Sequence, residues 1–354
     1  MSHNFNVFCR ISPNLLEGKF PHLIDNAVKL SSTKISIIEP KYKEYEFDSI
    51  FDPKSTQKDL FDELSGNIVN DLFEGKDCTI IAHGQKNTGK THTILGDLKH
   101  SENRGLFSRF LEAIVEMKEL SNKRIGISVS AFEISCGKIV DLLKINRNEK
   151  LIDAENKIDH NETVVDMEVT NSNEIGKFLK TFYKTIASTR TKVIDSVNQG
   201  HTLFKINLDQ EKENSTASFR STLTLADLVG SENLSKSRRP NLSNFNRNEI
   251  KKSLCSLETV MYAIGNRNPH IPFRDNILTR CLQQGLTNDQ RTKFILCLSP
   301  STINAMETIS TLQFYQKIIG KKSKSSKDIS NMNLTQSTVN ICCKTSALRY
   351  VYND

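Results

Sequence analysis

Two glycines, a lysine and a threonine stand at fixed spacing in the stretch Gly84-Gln85-Lys86-Asn87-Thr88-Gly89-Lys90-Thr91. The stretch fits G-x-x-x-x-G-K-[ST], the P-loop pattern. Its glycines let backbone N–H groups curl around phosphates, its lysine supplies positive charge and its threonine hydroxyl reaches Mg²⁺. A helix directly after the loop would aim its positive dipole end at the same anion. A chance Gly-Lys-Thr in a loop is the alternative, but the apolar run Thr79–Ala82 precedes the stretch. We therefore predict that these eight residues bind nucleotide phosphates.

A second acidic element follows later in the chain, within Leu223–Glu232. Asp227 ends an apolar run there, in position to hold the Mg²⁺ shell, and the Gly230 N–H can bond a γ-phosphate oxygen. The Asp-x-x-Gly spacing gains weight because a strand and a P-loop precede it. Asn156-Lys157-Ile158-Asp159 matches the guanine-reading motif N-K-x-D, but it lies before the Asp-x-x-Gly element instead of after it. We interpret that match as chance and expect adenine rather than guanine.

The elements that must position these residues alternate between helix and strand, as their hydrophobic periodicity indicates. This alternation runs through about 315 residues without a linker rich in Pro or Gly, which predicts one α/β domain over residues 1–320. Residues 321–354 form a basic, then polar tail that we expect to be flexible. Helices are predicted over Gln57–Leu72 with Thr56 as N-cap, Leu106–Leu120, Ile175–Ser188 and Glu249–Ile264. Strands are predicted over Phe5–Ile11, Ile35–Ile38, Cys78–Ala82, Arg124–Glu133, Leu203–Asp209, Phe219–Leu225 and Lys293–Leu298.

Composition argues against a membrane-spanning or secreted protein. Of the 354 residues, 37% are hydrophobic, which is enough for a core, yet no apolar run approaches the roughly 18 residues of a membrane span. The N-terminus lacks the apolar region of a signal peptide. Cys9, Cys78 and Cys297 lie in strand-like runs, which indicates buried, reduced thiols in a cytosolic protein.

Charge is unevenly divided along the chain. Residues 231–354 hold 18 Lys and Arg against 8 Asp and Glu, a net charge of +10, whereas the first 230 residues have a net charge of −3. A basic second half predicts a large acidic partner. Nucleic acid, an anionic membrane surface and an acidic protein polymer all meet that description.

Eight motifs in order resemble the kinesin superfamily motor domain, and together they span about residues 5–320. One of them is Asp227–Glu232, which resembles the switch II signature D-L-A-G-S-E. His270–Arg280 is similar to H-I-P-Y-R-D-S-K-L-T-R, and Glu307–Phe314 to E-T-L-S-T-L-R-F. The others are Val7–Pro13 (first strand, R-x-R-P), Phe47–Gln57 (F-D-x-V-F), Thr91–Gly96 (T-Y-T-M-x-G), Ser130–Leu143 (S-x-x-E-I-Y-N-E-x-x-x-D-L-L) and Lys252–Leu257 (K-S-L-x-x-L).

The resemblance implies a fold and a set of ligands. The fold would be a P-loop NTPase with a central mixed sheet and helices on both faces. The ligands would be ATP or ADP with Mg²⁺, held at Thr91 and Asp227, and catalysis would involve Lys90, Asp227, Gly230 and Glu232. Arg10 and Pro13, at the end of the first strand, would pack on the adenine, and His92 would also bind the nucleotide. Kinesins are microtubule-stimulated ATPases, and tubulin is strongly acidic. The microtubule-facing residues would be Lys236, Arg238, Arg239, Lys251, Lys252, His270, Arg274 and Arg280.

The chain departs from the family pattern in switch I, the stretch Ile194–His201 that corresponds to N-x-x-S-S-R-S-H. Only His201 matches, while Val197 and Asn198 replace the adjacent serines. Gln199 replaces the arginine that pairs with the switch II glutamate in the family, so Glu232 loses a charged partner. With a shifted alignment, Ser196 would instead take the role of one of the two adjacent serines in the family's switch I pattern. Further departures are Ser12 for the second arginine of R-x-R-P, and Lys86 and Asn87 inside the P-loop.

We therefore expect a kinesin-like chain that binds Mg-ATP and microtubules, with hydrolysis and motility impaired by the degenerate switch I. A fully active microtubule-stimulated motor is the alternative, and a P-loop enzyme acting on small molecules or nucleic acid explains fewer motifs. No nucleic-acid partner is expected. Ser55–Phe61 and Val69–Leu72 lean towards the kinesin-6 (mitotic kinesin-like) group. The absence of a heptad repeat predicts a monomer, and the expected location is the cytoplasmic microtubule cytoskeleton, including the spindle.

Overall fold

The computed structural model describes residues 5–13, 27–29, 31–37, 42–97, 100–121, 124–135, 137–144, 152–153, 164–193, 200–211, 218–230, 244–287 and 291–318. Its strands are β1 (Asn6–Ile11), β2 (Ala27–Lys29), β3 (Lys34–Ile37), β4 (Lys43–Glu46), β5 (Ser49–Phe51), β6 (Cys78–Gly84), β7 (Ile125–Ser135), β8 (Lys138–Asp141), β9 (Ile152–Asp153), β10 (Met167–Glu168), β11 (His201–Glu211), β12 (Ser218–Asp227) and β13 (Thr292–Leu298). Its helices are α1 (Gln57–Phe73), α2 (Lys90–Ile94), α3 (Leu106–Leu120), α4 (Ser172–Val193), α5 (Asn244–Gly265), α6 (Ile277–Thr287) and α7 (Ala305–Ile318).

A large mixed sheet runs through the described part of the chain in the order β5-β1-β13-β6-β12-β11-β7-β8-β9, with β10 added beside β7. In this order, the pairings from β5 through β1, β13 and β6 to β12 are parallel. The pairings of β12 with β11, β11 with β7, β7 with β8 and β8 with β9 are antiparallel. A separate small sheet joins β2, β3 and β4. The strand β6 therefore lies centrally between β13 and β12, and its carboxyl end opens the P-loop.

Helices cover both faces of this sheet. On one face α5, α6 and α7 bury Leu257, Leu278 and Leu312 in a core with the sheet. On the other face α1, α3 and α4 bury a second core that includes Phe107 and Phe182. The two apolar cores on opposite sides of one mixed sheet confirm the predicted α/β fold.

Local sequence explains where several elements begin. The Thr56 side chain accepts from the Asp59 N–H at 3.1 Å, and the Asp59 carboxylate accepts from the Thr56 N–H at 2.8 Å. This capping box starts α1 at Gln57 and confirms Thr56 as its N-cap. The predicted bounds of α3 are also confirmed. Sequence periodicity did not predict α6 or α7 as helices.

Cys9, Cys78 and Cys297 are confirmed as buried free thiols. The chain divides after Gly320 into Met1–Gly320, which holds all the described residues, and Lys321–Asp354, which lies outside them. The flexibility of that tail stays a prediction. Among the helices described, none has both the length and the apolar character needed to cross a bilayer.

Candidate nucleotide site

Strand β6 ends, and the P-loop begins, at a position that only glycine can occupy. All seven residues of β6 are buried, and Gly84 has a φ of 144° beside Cys297 of β13. A Cβ on Gly84 would lie 2.1 Å from the Cys297 carbonyl oxygen, closer than any real contact. The glycine therefore lets the loop leave the sheet in close contact with its neighbouring strand.

Inside the loop, one backbone carbonyl oxygen accepts hydrogen bonds from two polar side chains. The Gln85 carbonyl oxygen accepts from the Lys90 ammonium at 2.5 Å and from the Thr88 hydroxyl at 2.7 Å. Asn87 has a φ of 63°, in the left-handed region, which Asn tolerates better than most residues with a side chain. The position of Asn87 thus has the conformation for which glycine is the usual choice.

A hydroxyl and a carboxylate meet at the end of the loop. The Thr91 Oγ1 donates to the Asp227 Oδ2 at 2.6 Å, because β12 runs parallel to β6 with Asp227 level with Ala82. Mg²⁺ takes oxygen ligands in octahedral geometry at about 2.1 Å, which places neighbouring ligands about 3 Å apart. The chemistry and separation of this pair fit a Mg²⁺ site.

The helix predicted after the loop is present but short. The helix α2 ends at Ile94 after five residues, with Gly89 at its N-cap in the left-handed conformation. A single turn aligns few peptide dipoles, so we assign the positive field here mainly to the Lys90 side chain. Lys90 itself is buried, with 6% of its surface exposed.

The predicted adenine-side residues lie where β1 ends. The Arg10 Nη1 donates to the Gln57 Oε1 and to the Thr93 Oγ1, both at 2.8 Å, so its guanidinium is held against α1 and α2. Burial, and then the positive charge of Arg10, lower the pKa of His92. Arg10 and His92 are therefore close together, whereas Pro13 is exposed just after β1.

Sequence reasoning missed several side-chain contacts that support this site. The Gln57 Nε2 donates to the His92 carbonyl oxygen at 2.6 Å, which ties the start of α1 to the P-loop helix. The Gln85 Nε2 donates to the Asn304 Oδ1 at 3.0 Å across 219 residues of sequence. The phenyl ring of Phe314 packs against the His83 ring, with centroids 4.0 Å apart and ring planes tilted by 33°. Such contacts depend on tertiary packing, and only their polar or aromatic character was visible in the sequence.

Two buried histidines lie near the loop. Burial lowers the pKa of His83 to about 3, and the neighbouring Lys90 charge acts in the same direction. Burial likewise lowers the pKa of His201 to about 3. Both rings are therefore neutral at physiological pH.

The last two residues of the predicted switch I stretch, Gly200 and His201, are anchored to the sheet. The Gly200 N–H donates to the Glu133 Oε1 at 2.6 Å, and His201 opens β11. Gly230, three residues after Asp227, is buried. Some predicted residues lie outside the described part of the chain: Ser196, Val197, Asn198, Gln199, Glu232, Lys236, Arg238, Arg239 and the N-K-x-D match Asn156–Asp159.

The remaining predicted partner-facing residues are on and beside α5 and α6. Lys251 and Lys252 are exposed on α5, and His270 and Arg274 are exposed on the segment that leads into α6. Arg280 is half-buried within α6. These helices pack on the same face of the sheet, so the exposed cations belong to one side of the molecule.

Comparisons with known proteins agree on one family. Residues 19–319 match the family model for the kinesin motor domain. The chain is 31% identical over 319 residues to the human kinesin-1 heavy chain, covering 89% of this chain and 33% of that protein. It is also 31% identical over 343 residues to kinesin-related protein 2 of Dictyostelium discoideum, covering 89% of this chain and 43% of the relative.

A solved structure of a fast kinesin superposes with a TM-score of 0.76 at 25% identity, covering 96% of this chain and all of that one. The chain spans about a third of the length of the kinesin heavy chains that it matches. The lean towards the kinesin-6 group finds no support among these relatives.

Proposed function

The chain belongs to the kinesin motor-domain family, and from this premise we propose that it binds Mg-ATP at the P-loop and microtubules on its α5–α6 side, with slow ATP turnover. The observation that carries the nucleotide part is the contact between Thr91 and Asp227 beside Lys90. It supplies the oxygen ligands and the positive charge that a Mg-nucleotide needs.

Each of these residues would have its own part in binding the nucleotide. The Lys90 ammonium, which donates to the Gln85 carbonyl oxygen in this structure, would bind the β- and γ-phosphate oxygens, and Thr91 and Asp227 would hold Mg²⁺. The Gly230 N–H would bond a γ-phosphate oxygen, and Arg10 and His92 would border the adenine. When bound, Mg²⁺ neutralises charge on the phosphate oxygens. Phosphoryl transfer needs mainly positioning and electrostatic stabilisation, so these residues support binding and part of catalysis.

Slow turnover is proposed from the sequence of switch I. Gln199 stands where the family pattern has arginine, so Glu232 has at most a neutral hydrogen-bonding partner there. A neutral hydrogen bond is roughly half as strong as a charge-assisted one. Since closure of this pair positions the γ-phosphate for attack by water, its weakening should reduce hydrolysis more than nucleotide binding.

Microtubule binding is proposed from exposed positive charge. Lys251, Lys252, His270 and Arg274 are exposed on one side of the molecule, and residues 231–354 have a net charge of +10. A strongly acidic polymer would be attracted to such a surface. The location that follows is the microtubule cytoskeleton of the cytoplasm. The relatives give no support for the spindle, and a monomeric state remains a prediction.

A fully active motor is the second candidate, and a specific observation favours it. The phosphate-binding positions Gly84, Gly89, Lys90, Thr91 and Asp227 are all present, and the Mg²⁺ pair is formed. If Ser196 takes the place of a switch I serine, hydrolysis would be preserved.

Binding is tested by fluorescence titration with a labelled ATP analogue and by co-sedimentation with microtubules in ADP and in a non-hydrolysable ATP analogue. We expect Mg²⁺-dependent nucleotide binding and sedimentation with microtubules in at least one nucleotide state. Failure to sediment in every nucleotide state would contradict both candidates.

A further inference from the structure

Lys86 places a second lysine in the P-loop, at a position where the loop pattern requires no particular side chain. Lys86 and Asn87 are both exposed in the middle of the loop. Their neighbours are held in place, because the Gln85 side chain donates to Asn304 at 3.0 Å and Thr88 is buried with 2% of its surface exposed. The backbone on either side of the exposed pair is therefore anchored.

The Lys86 side chain can reach an anion that Lys90 binds. The Lys90 ammonium lies 2.5 Å from the Gln85 carbonyl oxygen, which belongs to the peptide group that joins Gln85 to Lys86. Standard peptide geometry puts the Lys86 Cα about 2.8 Å from that oxygen, and so within about 5 Å of the Lys90 ammonium. A lysine side chain, with its four methylene groups, extends about 6 Å. The two ammonium groups can therefore bind the same polyphosphate.

The position of Lys86 relative to Lys90 is set by the shape of the loop. The Gln85 carbonyl oxygen also accepts from the Thr88 hydroxyl at 2.7 Å, and Asn87 has a left-handed φ of 63°. The chain thus turns directly after Lys86 and closes over the carbonyl that precedes it. Two hydrogen bonds to one oxygen keep the start of the Lys86 side chain beside the phosphate-binding lysine.

Two cations on one loop favour a ligand with several negative charges. Lys90 is buried with 6% of its surface exposed, whereas Lys86 is exposed, so one ammonium group is on the protein side of the loop and the other on the solvent side. A P-loop lysine reaches the β- and γ-phosphates. The γ-phosphate adds charge and three oxygens to what a diphosphate offers, so a second cation contributes most when it is present.

We propose that the Lys86 ammonium binds the γ-phosphate as a second cation and is a catalytic residue for ATP hydrolysis. The inference rests on the proposed nucleotide binding and assigns a preference for triphosphate over diphosphate to this side chain. In hydrolysis the water oxygen bonds to the γ-phosphorus, the bond from that phosphorus to the β-phosphate oxygen breaks, and the water loses a proton to solvent. Lys86 keeps its protons and stabilises the charge on the γ-phosphate oxygens during this transfer.

The sequence of switch I makes such a cation useful. Val197 and Asn198 stand where the family pattern has two adjacent serines, so two hydroxyl groups are replaced there. A charge-assisted hydrogen bond is roughly twice as strong as a neutral one. One lysine can therefore offset a lost hydroxyl donor at the phosphate.

The test compares the dissociation constants of ADP and of adenylyl imidodiphosphate, both with Mg²⁺, by isothermal titration calorimetry on the full chain. Lys86→Gln removes the charge at similar length, and Lys86→Arg keeps it. Lys58→Gln is the matched control, because Lys58 is an exposed lysine in the first turn of α1, beside the Gln57 that donates to the His92 carbonyl oxygen.

We expect Lys86→Gln to weaken binding of the triphosphate analogue about tenfold or more and binding of ADP less than about twofold, since a hydrogen bond to a charged group is worth about that larger factor. Lys86→Arg and Lys58→Gln should keep both constants within about threefold of the wild type. ATP turnover should fall at least about tenfold in Lys86→Gln and recover in Lys86→Arg.

Each kind of failure has its own result. Unchanged binding of the analogue in Lys86→Gln, or equal weakening of the analogue and of ADP, would overturn the role of Lys86 at the γ-phosphate while leaving nucleotide binding intact. A merely structural lysine would give that second result. A changed affinity ratio with unchanged turnover would overturn the catalytic role. A wild type that binds neither nucleotide would overturn the proposed nucleotide binding and the role of Lys86 with it.

Discussion

The Thr91 hydroxyl and the Asp227 carboxylate meet at 2.6 Å although 136 residues separate them in the chain. Parallel pairing of β6 with β12 makes this possible, because it brings the P-loop and the end of β12 to the same edge of the sheet. Ligands bind at the carboxyl ends of parallel strands for the same reason. The pair therefore marks where the nucleotide's metal would be held.

Removal of the Thr91 hydroxyl should reduce the effect of Mg²⁺ on nucleotide binding. We expect Thr91→Ala to weaken Mg-ATP binding at least about tenfold, since a hydrogen bond or ligand to a charged group is worth roughly 1.5–3 kcal/mol. Thr91→Ser keeps the hydroxyl and serves as the control. Titration with labelled ATP in Mg²⁺ and in a chelator measures the difference. Equal Mg²⁺ dependence in Thr91→Ala and Thr91→Ser would contradict a metal role for Thr91.

Gly84→Ala should destabilise the protein, because the added Cβ would lie 2.1 Å from the Cys297 carbonyl oxygen and neither backbone can move without disturbing the sheet. We expect a loss of roughly 3 kcal/mol or more in the free energy of unfolding. Gly66→Ala is the matched control, since Gly66 is in α1 with nothing within 4 Å of an added Cβ. It should stabilise the protein by about 0.5–1 kcal/mol. Urea unfolding measures both changes, and a neutral Gly84→Ala would contradict the close approach.

Acid should destabilise the protein through its buried histidines. The pKa of His83 is lowered from an ordinary 6.5 to about 3, so the unfolded chain binds more protons than the folded one between these values. The associated stability is fully present above pH 6.5 and is lost as pH falls towards 3. For His83 the loss between pH 7 and pH 5 is roughly 2 kcal/mol.

The variant His83→Phe tests this effect, because a phenyl ring can keep the ring contact with Phe314. We expect its free energy of unfolding to fall by roughly 2 kcal/mol less than that of the wild type between pH 7 and pH 5. His270→Gln, at an exposed position, is the control and should follow the wild type. Identical acid sensitivity in His83→Phe and the wild type would show that His83 is not held neutral by burial.

The sequence predicted the elements whose signals are local. The helical spacing of Leu60, Leu64, Ile68 and Leu72 and the capping Thr56 predicted α1, and the structure places those four residues in the core. The contact of His201 with Ser253 was not predictable, because it joins residues 52 positions apart through packing of α5 on the sheet. Local periodicity and capping specify elements, whereas side-chain partners across elements depend on how those elements pack.

The ends of the predicted helices show the same limit of predictions from local sequence. The hydrophobic periodicity predicted that α5 begins at Glu249, whereas the helix begins at Asn244. The prediction started too late because the first turn of the helix lacks an apolar pattern. The P-loop pattern, Asp227 and the family motifs predicted the candidate site, because phosphate binding needs glycine and charge at fixed spacing. The support that Arg10 receives from Gln57 and Thr93 has no such spacing and was missed.

Charge removal on α5 should weaken microtubule binding. We expect the double variant Lys251→Ala/Lys252→Ala to raise the Kd in co-sedimentation by roughly threefold to tenfold at low salt, with a smaller effect at high salt. The matched control is Lys177→Ala/Lys180→Ala, which removes two exposed lysines from α4 on the opposite face of the sheet. Similar effects of the two double variants would contradict a microtubule surface at α5.

Gln199→Arg should restore the charged partner of Glu232 and raise ATP turnover. A charge-assisted pair is about twice as strong as a neutral one, so we expect an increase of roughly threefold to tenfold in kcat. The increase should disappear in Gln199→Arg/Glu232→Gln, because the added arginine then has no carboxylate to bind. An unchanged kcat in Gln199→Arg would show that Gln199 does not limit turnover.

Steady-state ATP hydrolysis by the purified chain, with and without saturating microtubules, distinguishes slow turnover from that of a fully active motor domain. The proposed function predicts Mg²⁺-dependent ATP binding with slow turnover that microtubules raise only slightly. Strong stimulation of ATP turnover by microtubules would contradict it and would identify the chain as a fully active motor domain.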